Sequence, residues 1–259
     1  MNPPVNKEYN PQEYVDSFDS RRYLREYYTT DELGDADIAI ARRLSGWLKR
    51  KNRVYETALE IGSGPVLEYP FSYSSHAKQI DLSDYLPSNL AEIRKWLDKD
   101  NSAHDWDPIF RGVLYHHGIP LDELESRKSQ FRSRVHTLLH CDLRNEHPMG
   151  GVVSYDLVTS FFCSECVAMT LPEWKTIKLR ILNMVAPGGG IFFAAVRNCN
   201  RYRILGKWFP VIPITESHYE ALLAEHQFED VQATSHSCPE FHESGFDEIV
   251  LVSATRKAN

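Results

Sequence analysis

The 259-residue chain contains no apolar run approaching the roughly 18 residues that a membrane-crossing helix needs. Its apolar share, 42%, is dispersed along the chain, which suits a buried core and argues against a bilayer span. The start, MNPPVNKEYNPQEY, has neither the basic opening nor the apolar block of a secretion signal. Cysteines number five, an odd count without a paired framework. Cys163 and Cys166 form a C-x-x-C inside an apolar run, with no second C-x-x-C to complete a zinc site. His236, Cys238 and His242 crowd one loop but find no fourth ligand, so no metal is expected. Reduced thiols and the absent signal point to the cytoplasm. No basic tract stands out and the net charge is −7, so a nucleic-acid partner is not expected. With no internal repeat and no low-complexity linker, residues 1–259 read as one domain, acting as a monomer or weak dimer.

What is present is an alternation of strand and helix. VYETALEI, residues 54–61, reads as the first strand, and AKQIDLSD as the second, ending near Asp84. VHTLLHCD, YDLVTSFFC and IFFAAV follow as the third to fifth, and EDVQATSHS and DEIVLVSATRK close the chain. Between them, DADIAIARRLSGWLKRK sets Ile38, Ala41, Leu44 and Leu48 at helical spacing. LPSNLAEIRKWLDKD is a helix signalled by Pro87, and residues 100–134 are polar and helical. LPEWKTIKLRILNMVAPGGG is a helix with Pro172 near its start and a glycine stop, and TESHYEALLAEHQF is a helix capped by Thr215. The alternation predicts a mostly parallel sheet with helices on both faces, and the short last loop predicts an antiparallel pair at one end.

Ligands in such sheets bind beyond the carboxyl ends of the strands. There, TALEIGSGPVLEYP breaks the first strand at Gly62, Ser63 and Gly64, just after Glu60. The third glycine of a dinucleotide fingerprint is missing, since that position holds Leu67. A nicotinamide or flavin is therefore not the first choice, and a nucleoside ligand without a pyrophosphate stays open. Asp84 follows Gly64 by 20 residues, the usual distance for a carboxylate that accepts both ribose hydroxyls. Asp142 ends the third strand, one strand further on and within reach of an adenine amino group.

IGSGP, followed in order by DYLPSN, HCDL, SFFCSECV and VAPGGGIFF, resembles the small-molecule N-methyltransferases of the nicotinamide, phenylethanolamine and indolethylamine type. YVDSFDSRRYLREYY resembles that family's tyrosine-rich cap, and the similarity runs from about Tyr14 to Lys257. The resemblance implies a class I methyltransferase, with a Rossmann-like α/β sheet and S-adenosyl-L-methionine as cofactor. It also implies a helical cap over residues 1–50 on a core of residues 51–259, with a helical insertion near residues 86–134. Gly62 and Ser63 match positions that approach the methionine part of the cofactor, beside Glu60 and Gly64. Asp84, Tyr85 and Asn89 match the ribose and methionine-side contacts, Asp142 and Leu143 the adenine pair, and Cys163 a position near the sulfonium. Tyr14, Tyr23, Tyr27 and Tyr28 match tyrosines that close over cofactor and substrate, with Tyr27 on the substrate side.

Glu165 matches an acid that faces the substrate nitrogen in amine-methylating members. It is expected to orient and deprotonate a small polar amine, the acceptor this reading favours. Tyr202, Arg197, His242 and Asp247 complete the expected substrate side. Two departures stand out. Glu68 replaces a cofactor-side tyrosine, and VRNCNRYRILG carries no acid where amine-methylating members have one. The alternatives are an oxygen or sulfur acceptor, or a nucleoside-binding relative without catalysis. Residues before about Asp31 are expected to act as a lid.

Overall fold

The computed structural model describes residues 15–29 and 33–258. Tyr14 lies outside them. Helix α1 (Ser20–Tyr27) begins at Asp19, whose side chain accepts from the Arg22 amide and so satisfies a free N–H of the first turn. Helix α2 (Asp35–Lys51) covers the predicted DADIAIARRLSGWLKRK, with Leu44, Trp47 and Leu48 buried and three basic residues in the last turn, where the helix dipole favours them.

Strand β1 (Tyr55–Ile61) leads into a short helix α3 (Glu68–Tyr73). Then follow β2 (Ala77–Asp84), α4 (Pro87–Leu97), α5 (Asp107–His117), α6 (Leu124–Arg134) and β3 (Val135–His140). After β4 (Tyr155–Phe161) come the single turn α7 (Ser164–Val167), α8 (Leu171–Asn183) and β5 (Val185–Val196). A small hairpin, β6 (Arg201–Ile204) and β7 (Lys207–Pro210), precedes α9 (Glu216–Glu225), β8 (Phe228–Ser237) and β9 (Glu248–Arg256).

The main sheet has the order β3-β2-β1-β4-β5-β9-β8. β1 to β5 run parallel, and β9 lies antiparallel between β5 and β8, as the short last loop predicts. Alternation along β1 sends Ala58 into one core and Leu59 and Ile61 into the other. The first core gathers Trp47, Phe71, Phe110 and Phe131, and the second gathers Trp174, Ile181, Tyr219 and Leu222.

Two elements depart from the sequence reading. The glycines expected to stop the helix before IFFAAV lie inside β5, where Gly190 pairs with Leu157. A Cβ on Gly190 would stand 2.7 Å from the Trp47 ring, so the absent side chain is what lets α2 pack there. The hairpin β6–β7 was not foreseen. Its two-residue turn uses Leu205 (φ 50°) and Gly206 (φ 79°), both left-handed as a tight hairpin of this twist requires, and Leu is a poor signal for that turn.

Candidate active site

The carboxyl ends of β1, β2 and β4 open onto a cavity of about 350 Å³, within the range of ligand pockets. Gly62 (φ 68°) and Gly64 (φ 59°) turn the chain out of β1 in the left-handed region. At Gly62 a Cβ would stand 2.2 Å from Cys163 Sγ, so only glycine fits beneath that side chain. The Ser63 amide donates to the Ser83 carbonyl (2.9 Å), tying the loop to β2.

Asp84 is the hub. One oxygen accepts from the Gly64 amide (2.8 Å), the other from the Leu86 amide (2.8 Å) and Asn89 Nδ2 (2.9 Å). Burial raises its pKa above the usual value, and these donors hold part of the rise back. Asn89 in turn accepts from Ser20 Oγ (2.7 Å), so α1 is pinned to the same acid. Asp142 is gripped by the Arg144 fork (2.9 and 3.0 Å), a residue the sequence reading did not single out. Partial burial acts upward on Asp142, but the Arg144 hydrogen bonds prevail and lower its pKa. Arg144 also lies 4.7 Å from the Tyr85 ring centre. Glu60 accepts from the Tyr73 hydroxyl (3.1 Å), and burial pushes its pKa up to about 8.

The other half of the cavity is aromatic. Tyr23, Tyr27 and Tyr28 of the α1 segment line it, with Tyr23 ring centres 5.0 and 5.7 Å from the other two. Tyr69 stacks on Phe161 at 4.2 Å. Tyr202 enters from β6, and Phe241 and Phe246 from the last loop. Asp37 of α2 stands among them and accepts from the Tyr69 hydroxyl (2.9 Å). Burial pushes its pKa up to about 6. Asp37 escaped the sequence reading, although an acid three residues before Ile40 and seven before Leu44 sits on an apolar stripe, a legible signal.

One cavity thus gathers Glu60, Gly62, Ser63, Gly64, Asp84, Tyr85 and Asn89 with Asp142, Leu143 and Cys163, and with Tyr23, Tyr27, Tyr28 and Tyr202. Four expected residues are not brought to it. Glu165 is buried elsewhere: its carboxylate accepts from the Val196 amide (3.2 Å) and Ser164 Oγ (3.4 Å). Burial raises its pKa, and the charge of Lys178 opposes the rise. Arg197 is occupied by Glu216 (3.0 Å) and Glu248 (2.7 Å), acids at the starts of α9 and β9. His242 pairs with Asp247 (2.7 Å) on the outside. They lie in and after the 3₁₀ turn Pro239–Ser244, whose three-residue period presents Phe241 and Ser244 to the cavity instead. Among the described residues, no three His, Cys, Asp or Glu side chains come together as a metal site, and no helix is long and apolar enough to cross a membrane.

This strand order, with a glycine loop after β1, an acid ending β2 and another two residues beyond β3, defines a class I S-adenosylmethionine-dependent methyltransferase. Solved structures share the fold. A magnesium protoporphyrin IX methyltransferase from Synechocystis superposes with TM-score 0.58 at 9% identity, over 95% of this chain and 94% of that one. An N-methyltransferase from Bradyrhizobium japonicum, in complex with S-adenosylhomocysteine, gives 0.52 at 13% identity, over 92% and 98%. The model of the NNMT/PNMT/TEMT family matches residues 6–257, and the chain belongs to that family. With that membership it is a small-molecule N-methyltransferase that uses S-adenosylmethionine. Nicotinamide N-methyltransferase of Homo sapiens is 27% identical over 221 residues, 82% of each chain. Phenylethanolamine N-methyltransferase of Rattus norvegicus is 25% identical over 247 residues, 90% of this chain and 84% of that one.

The residues present fit the cofactor. Ser63 Oγ is buried beside the glycine loop without a hydrogen-bond partner among the described residues, and Gly62 and Gly64 line the cavity wall.

Proposed function

We propose that the chain transfers the methyl group of S-adenosylmethionine to the nitrogen of a small amine, with the cofactor in the strand-end half of the cavity and the acceptor in the aromatic half. The observation that carries this is continuity: Asp84 and Asp142 line the same cavity as Tyr23, Tyr27 and Tyr202. The relatives named N-methyltransferases support nitrogen as the acceptor atom. Bound there, S-adenosylmethionine supplies a methyl already activated by positive sulfur.

The chain's own residues then bind and position. Asp84, held rigid by three N–H donors, takes ribose hydroxyls, and Asp142 with the Leu143 amide takes the adenine edge. Gly62 and Ser63 approach the methionine part, and Cys163 packs against Gly62. Tyr23, Tyr27, Tyr28 and Tyr202 wall the acceptor side and exclude water, so the work of the site is alignment at about 3–3.5 Å between the reacting atoms. Glu165, buried against Val196, takes no part in this reading.

Two assays test it. Asp84→Ala and Asp142→Ala should each weaken S-adenosylhomocysteine binding by calorimetry, by about 1.5–3 kcal/mol per charge-assisted hydrogen bond lost. Unchanged affinity in both would remove the cofactor placement. Methyl-labelled S-adenosylmethionine offered with amines, phenols and thiols should label amines; label on oxygen or sulfur alone would overturn the acceptor assignment.

A further inference from the structure

Asp37, half-buried at the cavity wall, and Glu68, fully buried, are two acids that no Lys, Arg or His among the described residues neutralises. Glu68 opens α3, is 2% exposed, and neither of its carboxylate oxygens has a hydrogen-bond partner among the described residues. Asp37 lines the aromatic half of the cavity with Tyr23, Tyr28 and Tyr69, while Glu68 lies outside that lining, close enough that the charge of Asp37 adds to burial in raising its pKa. Among the described residues, no Lys, Arg or His forms an ion pair with either acid. Arg144 on the cavity wall pairs with Asp142 instead. A buried carboxyl without a partner keeps its proton, and a cation brought beside it lets the charged form return.

We propose that Asp37, beside Tyr23, Tyr28 and Tyr69 on the cavity wall and supported by the buried carboxylate of Glu68 outside that lining, forms a recess for an ammonium group. A cation seated there answers both acids and also meets aromatic faces, which attract it independently. A metal fits less well, because tyrosine rings take up the surrounding wall. This rests on the reading of the aromatic half as the acceptor side, and it sharpens the acceptor to a molecule carrying a cationic nitrogen. It also gives that half an anionic partner that Glu165 does not supply. An ammonium has two sources here, the acceptor and the α-amino group of the cofactor's methionine part. The acceptor is favoured, because Asp37 stands with Tyr69 and Phe241 in the aromatic half; Glu68, at the position of a cofactor-side tyrosine, is the reason the cofactor's ammonium is tested beside it.

Calorimetry on the full chain separates these. In protein saturated with S-adenosylhomocysteine, 1-aminobutane, 1,4-diaminobutane and phenethylamine are each compared with the hydroxyl counterpart. The ammonium forms should bind the parent more tightly, and Asp37→Asn and Glu68→Gln should each weaken them by about 10- to 100-fold, as loss of a charged hydrogen-bond partner implies. Affinity for S-adenosylhomocysteine itself should change less than about twofold, below 0.5 kcal/mol. If instead both variants weaken S-adenosylhomocysteine, and an analogue lacking its α-amino group binds parent and variants alike, the recess holds the cofactor's ammonium. Ammonium probes that bind the parent no better than their hydroxyl counterparts, with both cofactor analogues bound equally by parent and variants, overturn the proposal. Glu68→Met, close in shape and uncharged, replaces Glu68→Gln if that variant fails to fold. A parent that binds no S-adenosylhomocysteine would sink the methyltransferase reading instead, and the probes measured without it would still report on the recess.

Discussion

Glu165 and Lys178 carry opposite charges into the same core, and each alters the other. Lys178 is 2% exposed, its ammonium 4.1 Å from the Phe193 ring centre, and burial pulls its pKa down to about 8 while Glu165 opposes the fall. The two form no ion pair within 4 Å, but a buried charge that loses its neighbouring countercharge still costs up to about 3–5 kcal/mol when it stays charged. Lys178 sheds its proton readily, which limits the loss in Glu165→Gln to about 1–3 kcal/mol. Urea denaturation should show that loss, while affinity for S-adenosylhomocysteine stays unchanged. A Glu165→Gln variant of parent stability that cannot methylate would return Glu165 to the reaction. The contrast with Asp84 shows what a sequence can tell. Asp84 was legible because its distance from the glycine loop fixes its place at a strand end. Arg197 and Glu165 were not, because neither side chain's direction nor its partner is written locally: Glu216 and Glu248 lie 19 and 51 residues from Arg197. Asp37 was legible in principle, as an acid on an apolar stripe.

The β6–β7 hairpin is positioned by a contact from the far end of the chain. The Leu205 amide, at a left-handed position of the turn, donates to the Tyr27 hydroxyl (3.1 Å) across 178 residues. α1 is therefore tied to both sides, by Ser20 on Asn89 and by Tyr27 on the hairpin, and it bridges the cofactor half to the acceptor half. Tyr27→Phe keeps the ring and removes one hydrogen bond, a net loss of about 0.5–1.5 kcal/mol. The Leu205 amide should then exchange with solvent about 2- to 10-fold faster if the hairpin opens locally. Exchange at an unchanged rate would mean that β6 and β7 hold the turn without α1. The sheet itself was readable, because alternation of β-branched runs with helical spacing fixes element type and order. The hairpin was not, because four-residue strands carry too little periodicity. The glycines in β5 misled, because they serve packing against Trp47 rather than a helix stop.

Across the whole molecule, buried ionisable groups make stability depend on pH in a way that separates by window. Carboxyls whose pKa is raised by folding hold protons that the unfolded chain has released, so stability falls as pH climbs from the unfolded to the folded value. Asp37, up at about 6, acts below neutrality, and Glu60, up at about 8, acts as far as pH 8. His117 works against them: burial lowers its pKa to about 4, so the unfolded state binds the extra proton and stability rises with pH up to about 6.5. Lys178, lowered to about 8, contributes with the same sign in a higher window, where the five cysteines, all raised by burial, act against it. Between about 6.5 and 8 the histidine contribution is spent and that of Lys178 has not begun. The ligand-free protein should therefore lose stability across that interval, by about 2 kcal/mol at most for a single carboxyl. Glu60→Gln tests the assignment, since a glutamine oxygen still accepts from Tyr73 and has nothing to titrate. The thermal midpoint of the parent should drop from pH 6.5 to 8, and that of Glu60→Gln should drop distinctly less. A variant that falls as steeply as the parent would move the titration to another group, with Glu68, also raised by burial, as the next to replace.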